Sequence, residues 1–115
     1  ITNDHTWVEE TVRAGTMSRE DAEVHPYRHV LTQAVGTEDD LAPEIGVFDL
    51  AEGDVYMLCS DGVTNHVGDD AIAAALGSGK GSAQTAWDIV ASALAGGGSD
   101  NATVVVAAVK SLQPA

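Results

Sequence analysis

Two short apolar runs, each flanked by an aspartate, constrain the fold of this chain more than any other feature. The run Val55–Cys59 is followed within two residues by Asp61, and Asp100 stands two residues before the run Ala102–Val109. Both runs are shorter than typical helices and have turn residues at their ends, so we expect them to form buried strands. If these strands are antiparallel neighbours, Asp61 and Asp100 lie at the same edge of one sheet.

Two carboxylates at one sheet edge predict a metal site. Held there by rigid strands, Asp61 and Asp100 would repel each other unless a cation lay between them. Hard divalent cations prefer oxygen ligands of this kind. The competing interpretation is structural, because Asp-Gly is a common turn dipeptide and an aspartate before a strand can form an Asx-turn.

The residues beside the two aspartates have expected structural functions. Gly62 should let the backbone leave the first strand with Asp61 directed at the sheet edge. Ser60 should supply a hydroxyl close to the site and not a nucleophile, because a catalytic serine needs a positioned base. Asn101 and Thr103 have side chains that can tie the second loop to backbone groups.

The remaining pattern predicts four helices and two further strands. Helices are expected at about 6–14, 18–25, 69–76 and 83–95. Strands are expected at 30–35 and 46–50, with a turn at 52–54 that makes a hairpin into the Val55–Cys59 strand. Helices packed on one face of an antiparallel sheet give an α+β layering.

Local signals refine two of these helices. Ser18, followed three residues later by Asp21, resembles a capping box at the start of the second helix. Ser82 is expected to cap the last helix. The apolar stripe expected on that helix consists of Ala86, Trp87, Val90, Ala93 and Leu94.

The composition excludes some classes of function. The 115 residues carry a net charge of −13, so a polyanion would be repelled and we expect no nucleic-acid partner. Cys59 is the single cysteine, which excludes an intrachain disulfide, and we expect it to be a small buried apolar residue. No apolar stretch approaches the roughly 20 residues that span a bilayer. A cytoplasmic location is expected.

Four histidines invite a zinc interpretation, which the sequence disfavours. His5, His25, His29 and His66 do not form a His-Glu-x-x-His motif, and no cysteine pairs accompany them.

Four sequence blocks carry a resemblance to a known family. Residues 58–64 read Leu-Cys-Ser-Asp-Gly-Val-Thr, and residues 97–106 read Gly-Gly-Ser-Asp-Asn-Ala-Thr-Val-Val-Val. Upstream, residues 1–8 and 25–36 complete the set. In this order the blocks resemble the C-terminal half of the bacterial metal-dependent protein phosphatases of type 2C, the PPM family.

The resemblance implies a fold and domain bounds. The complete family domain is a four-layer α-β-β-α sandwich with two antiparallel sheets, of which this chain would supply a part. Residues 1–115 would form the C-terminal portion of one such domain. Within it, a flap region covers about 6–36 and the metal-site half about 45–110.

The resemblance also implies an activity and its cofactors. It predicts a protein serine/threonine phosphatase that depends on Mg²⁺ or Mn²⁺, with two ions per complete site and a weaker third. Metal-activated water attacks the phosphorus of phosphoserine or phosphothreonine directly. Asp61 and Asp100 would be metal ligands, and His25, Arg28 and His29 would belong to the flap beside the substrate.

The implied partners are phosphorylated proteins, a cognate serine/threonine kinase and the N-terminal half of the domain. That half carries the phosphate-binding arginine and further acidic ligands, which have no counterpart here, so we expect this chain alone to be inactive. The alternative is a non-catalytic pseudophosphatase or regulatory interaction module that kept the fold and lost its metal. An Asp-Gly-x-Gly-Gly segment upstream of Ile1 would favour the enzyme.

Overall fold

The computed structural model describes residues 1–113, so the last two residues of the predicted domain lie outside the described residues. The helices are α1 (Trp7–Arg13), α2 (Arg19–Val24), α3 (Asp61–Thr64), α4 (Asp69–Leu76) and α5 (Ser82–Ala95). The strands are β1 (Val55–Cys59) and β2 (Val104–Ala108). The chain divides into a first unit, Ile1–Phe48, and a second unit that begins at Asp49.

The first unit is built on two capped helices. The Thr6 hydroxyl accepts the Glu9 backbone N–H at the start of α1, and the Ser18 hydroxyl accepts the Asp21 N–H at the start of α2. The predicted Ser18 cap is therefore confirmed. An ion pair between Arg19 and Glu9 joins the two helices.

The strands predicted at 30–35 and 46–50 are wrong. Within the described residues the first segment makes a single isolated bridge, Thr6 with Leu31, and the second has no regular structure. Val35 and Val47 are 92% and 95% exposed. A β-branched side chain favours a strand only where neighbouring strands pack against it, and none does so here.

The second unit contains the predicted antiparallel pair. β1 pairs with β2 so that Cys59 lies opposite Val104 at one end and Val55 lies opposite Ala108 at the other. The turn at 52–54 is present, with Gly53 at φ +89°. It does not join two hairpin strands, because the partner of β1 is β2.

The core of the second unit lies between the helices and one face of the sheet. Its buried members are Val63, Val67, Ile72, Ile89 and Ala93, and Met57 and Val104 pack against them from the sheet. On α5 the buried positions are Thr85, Ile89 and Ala93, which recur every fourth residue.

Two expectations for α5 are wrong. Trp87 and Leu94 were expected in the apolar stripe, yet both are exposed, because the buried face is centred on Ile89. The residue that caps α5 is Gly81, not Ser82, and Ser82 is the first residue inside the helix.

The other face of the sheet is exposed in the described residues. Leu58 and Val105 are direct cross-strand partners, 64% and 55% exposed. Because alternate residues of a strand share a face, Tyr56 and Ala107 lie on the same side. We call these four residues the open face.

Cys59 does not fit the prediction of a buried residue. It is exposed, because it ends β1 where neither the core helices nor a third strand covers it within residues 1–113. None of the helices in residues 1–113 has the length and hydropathy needed to cross a membrane.

Candidate metal centre

Asp61 and Asp100 lie at the same end of the two-stranded sheet. Asp61 begins α3 immediately after β1, and Asp100 lies in the loop between α5 and β2. Cys59 and Val104, the residues that close the strands at this end, are paired. The predicted placement at one sheet edge is confirmed. Both carboxylates are exposed.

The short helix α3 was not predicted. Its four residues include Asp61 and Gly62, and a turn signal of this kind indicates a loop rather than a helix. Val63 anchors it, because this side chain is completely buried in the core of the second unit. Asp61 is therefore attached to a fixed element and not to a free loop.

Ser60 joins the two loops that carry the aspartates. Its hydroxyl donates to the Asn101 carbonyl at 3.1 Å and accepts the Thr103 backbone N–H at 3.0 Å. Its own backbone N–H donates to the Thr103 carbonyl at 3.0 Å. Asn101 and Thr103 thus take part through their backbone groups, and the hydroxyl that ties the loop belongs to Ser60.

Gly62 allows the closest approach between the loops. A Cβ atom placed on this residue would lie 2.1 Å from the Asn101 carbonyl oxygen and 2.8 Å from its carbonyl carbon. The neighbour is backbone, which cannot swing aside as a side chain can. Glycine is required here by space.

Asp100 helps to hold its own loop. Its Oδ1 accepts the Asn101 backbone N–H at 2.7 Å. An ionised carboxylate has capacity for further partners beyond one such bond. The side chain is therefore oriented by the chain while retaining the ability to bind a cation.

The donor set fits a divalent cation in chemistry and is incomplete in number. Mg²⁺ and Mn²⁺ favour carboxylate oxygens in near-octahedral arrangements, and Asp61 and Asp100 supply such oxygens at one edge. Among residues 1–113, no group of three or more His, Cys, Asp or Glu side chains is arranged to hold a metal ion. The described residues do not by themselves form a complete metal site.

His66 is a residue near the site that sequence reasoning did not select. It follows α3, and its Nε2 lies 2.7 Å from the hydroxyl of Ser99, the residue immediately before Asp100. Three successive glycines, Gly96-Gly97-Gly98, follow α5, and such a run permits a close approach by another group.

Cys59 is unsuited to nucleophilic chemistry beside the site. Its pKa is raised, because neighbouring atoms partly desolvate the thiol although the side chain remains exposed. The thiolate is the reactive form, so this thiol is protonated at neutral pH.

The predicted flap residues lie in the first unit and form a local cluster. The His25 ring centroid lies 5.1 Å from that of Trp7 and 5.5 Å from that of Tyr27. His25 Nδ1 accepts the Tyr27 backbone N–H at 3.0 Å, and Arg28 donates to the His25 carbonyl at 3.2 Å. His29 is exposed.

Comparison with known proteins gives a consistent set of relatives. Protein phosphatase PhpP of Streptococcus pneumoniae is 36% identical over 106 residues, which cover 92% of this chain and 43% of PhpP. Serine/threonine protein phosphatase PstP of Mycobacterium tuberculosis is 39% identical over 107 residues, which cover 93% of this chain and 20% of PstP. No protein-family model matches the chain.

Solved structures agree in fold. The serine/threonine phosphatase of S. agalactiae superimposes with a TM-score of 0.89 at 36% identity, over 96% of this chain and 46% of that one. The catalytic domain of PstP in complex with two manganese ions superimposes with a TM-score of 0.80 at 37% identity, over 96% of this chain and 45% of that one.

These relatives and solved structures are bacterial protein serine/threonine phosphatases of type 2C, the PPM family. The chain belongs to that family and spans less than half the length of the relatives it matches. The predicted α+β class, with the sandwich architecture of type 2C phosphatases, is confirmed by these structures.

Proposed function

We propose that this chain is the C-terminal part of a catalytic domain that hydrolyses phosphoserine and phosphothreonine in proteins with the help of Mg²⁺ or Mn²⁺. The observation that carries the proposal is the junction of the two aspartate loops. Ser60 is hydrogen-bonded to both Asn101 and Thr103, and Gly62 meets the Asn101 carbonyl. A junction of this kind fixes two exposed carboxylates at one edge without burying them.

Each side chain of the junction has a distinct contribution. Asp61 and Asp100 would supply anionic oxygens to the metal ions, and further ligands would come from the remainder of the domain. Ser60 and Gly62 keep the two carboxylates in register and make no contact with substrate. When bound, divalent ions of this type lower the pKa of water and neutralise phosphate oxygens.

The decisive test replaces each aspartate by its isosteric amide in the complete domain. Asp61→Asn and Asp100→Asn should each lower Mn²⁺-dependent hydrolysis of a phosphopeptide by at least about 100-fold, since lost metal affinity and lost transition-state stabilisation both contribute. The thermal midpoint without metal should stay equal or rise, because a source of repulsion is removed. Near wild-type activity in either variant would show that the residue is not a ligand.

The matched control is Asp69→Asn. Asp69 is an exposed aspartate at the start of α4 in the same unit. It should retain wild-type turnover. Absence of Mn²⁺-dependent hydrolysis by the wild-type complete domain, with its fold intact, would favour the alternative, a non-catalytic interaction module.

The isolated 115-residue chain, assayed beside the complete domain, is expected to be inactive. Two carboxylates hold a divalent ion weakly, and no phosphate-binding arginine has been recognised near them. The partner this chain needs first is the N-terminal half of the domain. Phosphorylated proteins, in a cytoplasmic setting with a cognate serine/threonine kinase, would then be its substrates.

The flap assignment of residues 6–36 is part of the same proposal. What supports it is the exposure of His29 and Arg28 beside the anchored His25 ring. A side chain with few buried contacts can influence a ligand without determining stability. In the complete domain this region would act on substrate access and on a third, weaker metal ion.

A further inference from the structure

The loop that carries Asp100 is held from a second side. Ser60 binds the part of the loop after Asp100, whereas His66 binds the part before it. His66 Nε2 lies 2.7 Å from the Ser99 hydroxyl and accepts the Ser99 backbone N–H at 3.3 Å. With the ring proton on Nδ1, Nε2 is the accepting nitrogen, and its single lone pair is shared between the Ser99 hydroxyl and the Ser99 N–H.

The glycine run beside this loop is shaped around His66. A Cβ atom on Gly97 would lie 3.1 Å from His66 Cε1 and 3.2 Å from Nδ1. One on Gly96 would lie 2.8 Å from the His66 carbonyl oxygen. Gly96 and Gly97 therefore follow α5 and admit His66 against the backbone, whereas Gly98 lies against Leu94. The contacts join residues that are 33 positions apart in the chain.

The two anchors flank the helix that carries the other aspartate. Ser60 precedes α3 and His66 follows it by two residues, so the Asp100 loop is attached to both ends of the element that begins with Asp61. A single anchor would leave the loop free to pivot about the Asn101 carbonyl. Two anchors fix its orientation as well as its distance.

We propose that His66 is a positioning residue, which holds the Gly96–Asp100 loop against α3 and so sets the separation of the Asp61 and Asp100 carboxylates. The proposal rests on the proposed function, because it assigns to that separation an effect on metal affinity. His66 does not itself contact metal or substrate. It acts through Ser99, and its imidazole is partly buried.

The test compares three variants of the complete domain. His66→Leu removes the accepting nitrogen, and His66→Gln places an amide group near the position of Nε2. Ser99→Ala removes the hydroxyl partner. The measured quantities are the Mn²⁺ concentration that gives half-maximal hydrolysis of p-nitrophenyl phosphate, the kcat at saturating Mn²⁺ and the thermal midpoint.

We expect His66→Leu to raise the half-maximal Mn²⁺ concentration about tenfold, the size typical for residues that orient metal ligands. His66→Gln should recover most of that loss, and kcat at saturating Mn²⁺ should change much less. Adding Ser99→Ala to His66→Leu should raise the half-maximal Mn²⁺ concentration little further, because both changes break the same interaction. Ser78→Ala, a serine in the exposed loop after α4, is the matched control and should have no effect.

A measurement without metal separates this proposal from the proposed function. In the metal-free complete domain, exchange of the Ser99 backbone amide with solvent should be faster in His66→Leu than in wild type. If this amide exchanges equally fast in both, the clamp does not exist. If exchange quickens but the half-maximal Mn²⁺ concentration is unchanged, or if His66→Gln is as impaired as His66→Leu, His66 is merely structural and the proposal is overturned. Failure of the Asp61 and Asp100 variants to lose activity would instead reject the proposed function itself, and the positioning proposal with it.

Discussion

A side chain at position 62 would collide with the backbone of the opposite loop. The space beside Gly62 is filled by the Asn101 carbonyl group, and Gly62 itself is buried. The φ angle of this residue is not what demands glycine, since no positive φ is recorded there. The demand is purely steric, and it falls on the residue that follows a proposed metal ligand.

Gly62→Ala is therefore expected to lower the free energy of unfolding by about 1–3 kcal/mol, the usual cost of inserting a carbon into a packed region. Urea unfolding of the 115-residue chain measures this loss. In the complete domain the same change should raise the Mn²⁺ concentration needed for half-maximal activity, because the two aspartate loops are forced apart. Gly81→Ala is the control: nothing lies within 4 Å of its added Cβ, so the loss should be limited to about 0.5–1 kcal/mol, because alanine is a poorer N-cap than glycine. Equal losses for the two variants would contradict this account.

Residues near the site differ in how far the sequence reveals them. Asp61 and Asp100 can be selected from the sequence because each lies beside the end of an apolar run, and the ends of such runs indicate where strands end. His66 and Ser99 carry no comparable signal, because their contact depends on how α3 and the end of α5 are brought together in three dimensions. Only the glycine run Gly96–Gly98 beside them indicates that another group approaches the backbone closely.

At the scale of elements, α1 and α2 are connected by one ion pair. Arg19 donates to both carboxylate oxygens of Glu9, and Glu9 is buried while the guanidinium is largely exposed. The hydrogen bond from Arg19 lowers the pKa of Glu9 and outweighs the opposing effect of burial. The ionised carboxylate is thus the form that stabilises the helix pair.

This pair predicts a pH dependence for the first unit. Because the folded pKa of Glu9 lies below its unfolded value, the stabilisation is complete above the unfolded value and is lost as the pH falls through the folded one. Glu9→Gln should lower the thermal midpoint at neutral pH, and the difference from wild type should shrink in acid. Trp7 fluorescence in a Trp87→Phe background reports on α1 alone.

Glu10→Gln is the matched control, since Glu10 lies on the exposed side of the same helix. It should leave the midpoint close to wild type at every pH. A Glu9→Gln deficit that persists undiminished below the folded pKa would show that packing, and not charge, is what the glutamate supplies.

The elements divide into those that sequence could predict and those that it could not. The helix expected at 69–76 is observed as Asp69–Leu76, and β1 and β2 fall inside the predicted apolar runs. These segments have their apolar faces covered within the second unit, so pattern and structure agree. Segments 30–35 and 46–50 have β-branched residues but no partner strand among the described residues, and propensity alone does not form a strand.

At the scale of the whole molecule, the open face is an exposed apolar surface of the second unit. Leu58 and Val105 are apolar, adjacent and exposed. A two-stranded sheet is marginal by itself. In a sandwich of two sheets, this is the side on which the second sheet packs, so we expect the N-terminal half of the domain to cover it.

Leu58→Lys should distinguish a covered face from a solvated one. In the complete domain it should lower the free energy of unfolding by at least about 2 kcal/mol, since burial of a leucine is lost and a charge must be accommodated. In the 115-residue chain the change should stay within about 0.5 kcal/mol, as for other surface substitutions. Chemical unfolding of both proteins measures the two values.

Trp87→Lys is the control for that comparison. Trp87 is exposed on α5, away from the buried positions that face the sheet. The outer side of a helix layer remains in solvent in a sandwich, so this variant should cost little in either protein. A Leu58→Lys cost that is equally small in both would mean that the open face stays exposed.

The junction at the sheet edge joins segments that are made at different times. Ser60 and Asn101 are separated by 41 positions in sequence, and α4 and α5 lie between them. Helices form from local contacts, whereas pairing of distant strands must first overcome the entropy of closing a long loop. During synthesis on the ribosome, Asp61 therefore emerges, with α3 and both following helices, well before its counterpart. The two carboxylates come together only when β2 has been made and has paired with β1, so the proposed metal site can form only in a chain that has already completed its sheet.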